Sequence, residues 1–75
     1  MDKNQHEEGL ILAVQGPRFR LLTTDGRSLL LTLPHEANLE FQDLIGWMEA
    51  NHPVAVTYRG EPNFISGRAV KVEPL

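Results

Sequence analysis

The sequence predicts one small, mainly β domain: a five-stranded barrel in the order β-β-β-α-β-β, with one helix over about residues 39–50. Three observations carry that prediction. Short β-rich runs recur between glycine and proline punctuation. The pair Asp25-Gly26 joins two runs that each carry apolar residues at alternate positions. A single segment has apolar residues at helical spacing. A chain of 75 residues has room for one core, and the absence of cysteine excludes disulfides, thiolate metal sites and thiol catalysis.

Residues 1–8 are polar and read as a flexible tail, so the expected single domain covers 9–75. A first strand begins at Gly9 with the apolar run 10–14 and ends at Gln15-Gly16-Pro17. The second covers about 18–23 and the third about 27–33, stopped by Pro34. Their register follows from burial. A two-residue turn at Asp25-Gly26 would divide the apolar residues between two faces. A three-residue loop, Thr24-Asp25-Gly26, pairs Leu21 with Leu29 and Phe19 with Leu31. Phe19, Leu21, Leu29, Leu31 and Leu33 then share the inner face, because a slip of one residue moves every side chain across a sheet. The outer face carries Arg18, Arg20, Leu22, Ser28, Leu30 and Thr32.

Phe41, Leu44, Ile45 and Met48 make the helical stripe, bordered by Trp47. Asn38 is the expected N-cap, Asn51 the left-handed C-terminal residue and Pro53 the stop. A fourth strand spans 54–58, with Val54, Val56 and Tyr58 inward. A loop follows at 59–63. The fifth strand covers about 64–72, where Val70 and Val72 alternate with Lys71 and Glu73, and Gly67 suggests a bulge or bend.

A three-stranded meander, a helix and a final hairpin resembles the OB-fold across residues 9–73, in element order only. The resemblance implies a helix that plugs one end of the barrel. It also implies a ligand-binding outer face on strands two and three, flanked by the loops after strands one and four. An SH3-like barrel and an open α+β roll are the rival architectures.

The net charge of −3 is unevenly spread: −2 over 1–8, +2 over 9–34, −4 over 35–52 and +1 over 53–75. An acidic total argues against general nucleic-acid binding, which depends on neutralising phosphates, but leaves room for a local basic face. His6, His35 and His52 do not converge, since the helix holds the last two far apart, so no metal site is expected. The carboxylates Glu36, Glu40, Asp43 and Glu49 surround the polar side of one helix, and nothing in the sequence argues for the burial that acid–base work would need. No serine elbow or phosphate-binding glycine motif is present. The chain therefore reads as a binding module that is not an enzyme and needs no cofactor.

The expected surface is the outer face of strands two and three: Arg18, Arg20, Leu22, Leu30 and Thr32, joined by Arg59, Asn63 and Phe64 from the loop after strand four. Leu22 and Leu30, ringed by polar residues, have the make-up of a protein contact, including one with a second copy. The alternative is weak binding of single-stranded nucleic acid or another anionic ligand through the arginines. That reading lacks the stacking aromatics such binders use, because Phe19 points into the core and Phe64 is the sole candidate platform. The polar start and the absence of an anchor lead to the expectation of a cytoplasmic protein with no membrane partner.

Overall fold

The computed structural model describes residues 4–33, 40–59 and 66–75. Its elements are β1 (Asn4–Gln15), β2 (Arg18–Thr23), β3 (Ser28–Thr32), α1 (Phe41–Glu49), β4 (Val54–Arg59) and β5 (Ser66–Pro74), the expected order. The strands form one sheet in the order β1-β2-β3-β5-β4, and β4 returns to pair with β1. The sheet is therefore closed in a ring, OB-like in general shape. All its ladders are antiparallel except β3 with β5.

The β2–β3 hairpin has the expected register, with Phe19 opposite Leu31 and Leu21 opposite Leu29. Gly26 takes a φ of 90°, which the three-residue loop requires and glycine adopts without strain. Phe19, Leu21, Leu29, Leu31 and Leu33 are all buried, together with Ile11, Leu44, Val54, Val56, Tyr58, Ala69 and Val72. Leaving those side chains in water would forgo the main favourable contribution to folding.

Four expectations need correction. The first strand begins at Asn4, so residues 4–8 are not a tail: they pair with β4, Asn4 opposite Arg59 through Glu8 opposite Ala55. Their polar composition concealed a strand because Asn4, His6 and Glu8 point outward, opposite the outward residues of β4. The helix cap also moves. It is Glu40, whose backbone N–H donates to the Asp43 carboxylate at 3.3 Å, whereas Asn38 lies outside the described residues. Phe41 was expected in the core but is 44% exposed. It is the first helical residue, and a helical side chain leans towards the N-terminus, beyond the packed turns. The apolar contact instead falls on Leu44, with Trp47 and Met48 packed against the core. Finally, Val70 points out. A bulge in the β4–β5 ladder places Ala69 opposite Tyr58 and Lys71 opposite Thr57. Val70 is the extra residue, and the inward positions become Ala69 and Val72.

The helix ends as expected. Asn51 has a φ of 52°, its N–H donates to the Met48 carbonyl, and the His52 N–H donates to that of Trp47. Those two bonds make a Schellman motif.

Gly9 marks the point where β1 changes partners, opposite Val54 on one side and Thr23 on the other. A Cβ there would lie 1.9 Å from the Leu22 carbonyl oxygen, so only glycine permits so close an approach.

Candidate functional site

The hairpin that carries the candidate face is pinned at its turn. The Thr23 N–H donates to the Arg27 carbonyl at 2.8 Å, and the Arg27 N–H donates to the Thr23 hydroxyl at 2.9 Å. That hydroxyl in turn donates to the Asp25 carboxylate. Arg27 then ties the turn to β1. Its Nε donates to Asp25 at 2.9 Å, and its Nη2 is paired with Glu7. Glu7 stands opposite the buried Val56, so it faces the inside of the ring at its mouth. The Thr23 hydroxyl, followed by Arg27, holds the Asp25 carboxyl below the usual carboxylate range. Burial pushes the Tyr58 phenol up, and the Glu7 carboxylate adds to that rise.

With the hairpin so held, Arg18, Arg20, Leu22, Ser28, Leu30 and Thr32 occupy the outer face, alternating with the buried residues. Leu22 and Leu30 are half-buried. Arg20 Nη1 donates to the Ser28 hydroxyl at 3.1 Å, across the strand pair. Beside them β1 adds Leu10, opposite Leu22. A bulge between Ile11 and Ala13 makes Leu12 the extra residue, and it is 48% exposed. Four leucines, Leu10, Leu12, Leu22 and Leu30, thus lie on the outside of β1–β3.

The ladders also assemble a row that crosses the sheet. Gln15 stands opposite Arg18, Arg18 opposite Thr32, Thr32 opposite Arg68, Arg68 opposite Arg59 and Arg59 opposite Asn4. Arg59 Nε donates to the Asn4 side-chain oxygen at 3.4 Å. Neighbouring strands are ~4.8 Å apart, so Arg18, Arg68 and Arg59 fall within about 15 Å. Of the expected residues, Arg18, Arg20, Leu22, Leu30, Thr32 and Arg59 therefore share the outside of the ring. Asn63 and Phe64 lie outside the described residues.

Sequence reasoning missed Leu10, Leu12 and Arg68 as members of this surface. The first two were hidden in an unbroken apolar run whose bulge carries no sequence mark. Arg68 joins through the parallel β3–β5 pairing, which no local pattern announces.

On the other side of β1, a cleft of about 490 Å³ is lined by residues that include His6, Glu7, Glu8, Thr57 and Glu73. His6 Nδ1 lies 3.1 Å from the Thr57 hydroxyl. Among the described residues no group of three His, Asp or Glu side chains is placed to hold a metal ion. No helix among them is long and apolar enough to cross a membrane. No family model, no curated protein and no solved structure matches the chain.

Proposed function

We propose that the chain is a non-catalytic binding module whose outer face on β1–β3 makes a protein contact. The observation that carries this is the leucine patch. Leu12 is 48% exposed, and Leu10, Leu22 and Leu30 are half-buried around it. Large apolar side chains gathered on one exposed face, with Arg18, Arg20, Ser28 and Thr32 at its rim, match the apolar centre and polar border of protein interfaces. A photo-reactive phenylalanine analogue at Leu12, introduced in cells that make the protein, tests it. Protein adducts are expected there and not from the same analogue at Thr57. Equal or absent labelling at the two positions rejects the reading.

The arginine row favours a second reading, an anionic ligand such as single-stranded nucleic acid. Arg68 adds a cation between Thr32 and Arg59, beyond those the outer face of β2 supplies. Binding of a short labelled single strand should then fall on Arg18→Ala and Arg68→Ala, and weaken steeply with salt. Absence of binding at low salt removes this reading.

A further inference from the structure

We infer that the occupant of the leucine patch is a second copy of this chain, docked face to face about a two-fold axis running along the Leu10–Leu22 row. This rests on the reading that the outer face of β1–β3 makes a protein contact. The identity of the occupant comes from the charges at the two ends of the patch.

Leu10 stands opposite Leu22 on antiparallel strands. Two residues along β1 from Leu10, towards the β2–β3 turn, is Glu8, whose carbonyl accepts the Thr24 N–H at 3.0 Å. Two residues along β2 from Leu22, in the opposite direction, is Arg20. Each therefore lies ~7 Å from the leucine row, on opposite sides of it. Both point outward. Glu8 pairs with Ala55, which sits between the buried Val54 and Val56, and Arg20 sits between the buried Phe19 and Leu21.

Rotation about an axis along the row exchanges the two ends. Leu10 meets the partner's Leu10, and Leu22 meets the partner's Leu22. The partner's Glu8 arrives at the level of Arg20, displaced sideways by one strand spacing of ~4.8 Å, which a guanidinium on its flexible stem spans. Symmetry makes this pair twice. The Leu10–Leu22 row and the two charges that flank it are thus complementary to themselves, the condition for an isologous interface. A uniformly acidic surface would be repelled by Glu8, and a uniformly basic one by Arg20.

A specific interface of ordinary size covers about 800 Å² of each partner. Against a surface of 5067 Å² that is about one-sixth, and three of five strands can supply it. Interfaces of that size without large aromatic anchors belong at the micromolar end of the affinity range.

Sedimentation equilibrium of the full chain, from roughly 5 μM to roughly 1 mM, brackets that affinity. The expected result is a reversible dimer. Glu8→Arg and Arg20→Glu should each weaken it about tenfold or more by setting like charges together, and the two combined should restore it to within about threefold. Circular dichroism checks that each variant folds. Because the chain has no cysteine, Leu10→Cys supplies a unique thiol, and a short bismaleimide should join two such chains across the axis. Efficient joining supports the axis without recourse to the charge variants. A chain that stays monomeric throughout overturns the inference. If Leu12 still labels another protein, the interaction reading stands with a different occupant; if it labels none, both fall. A dimer that ignores the single reversals, or is not rescued by the pair, overturns the two-fold axis.

Discussion

Gly9 carries a demand that no other residue meets. A methyl group there would sit 1.9 Å from a backbone oxygen, so one strand must shift. Gly9→Ala should cost about 3 kcal/mol in urea unfolding, the upper end for overpacking, and a loss under ~1 kcal/mol would show that the crossing relaxes freely. Asp25 gives a test in pH. Its carboxyl is held low by Thr23 and Arg27, so its stabilising contribution is present above the unfolded value near 3.8 and is lost as pH falls through the lower folded value. Wild type should therefore exceed Asp25→Asn in urea midpoint at pH 6, with the gap closing by pH 2. The side chain is well exposed, so the gap is small; a gap that widens on acidification would contradict the assignment. At this scale the turn was legible, because Asp25-Gly26 and the burial of five alternating apolar residues leave one register. Glu7 was not. An acidic residue in a polar segment has no local sign that it will face the mouth of a ring and meet Arg27 from 20 residues away.

The helix separates what period predicts from what position allows. Its apolar spacing placed Phe41, Leu44, Ile45 and Met48 on one side, and the cap residue Asn51 was readable from its tolerance of positive φ. Leu44 is fully buried while Phe41 is 44% exposed. Leu44→Ala should thus cost about 2–5 kcal/mol, and Phe41→Ala well under half as much, in paired denaturant titrations. Equal losses would place Phe41 in the core after all. The strands show the same limit. Alternation correctly assigned Val54, Val56 and Tyr58, because β4 itself carries no extra residue. It failed at Val70, where one extra residue changes the phase, and it assigned no face to Leu12 within the unbroken run 10–14. Bulges answer the curvature of a closing sheet, which is a property of the pairing and not of the strand by itself.

At the scale of the molecule, every strand has two neighbours, and the ladders β1–β4 and β3–β5 join residues far apart in the chain. Closing those loops must precede the contacts that reward it, so folding should take milliseconds to seconds after dilution from urea. A microsecond relaxation measured by temperature jump would mean that the ring is not the folding unit. A dimer on the outer face adds a second expectation: the thermal midpoint rises with protein concentration, and Leu22→Glu abolishes the rise. A midpoint independent of concentration would count against the dimer. The sequence by itself determined the element order, the hairpin register and the identity of most core residues. Each follows from local rules: turn chemistry, apolar period and the cost of exposing a leucine face. Only the tertiary structure decided that residues 4–8 form a strand, that the sheet closes through a parallel β3–β5 ladder, and that Arg68 joins Arg18 and Arg59 while Leu10 and Leu12 join Leu22 and Leu30. These depend on which distant backbone groups satisfy one another's hydrogen bonds, and pairing at long range leaves no periodic mark in the chain that makes it.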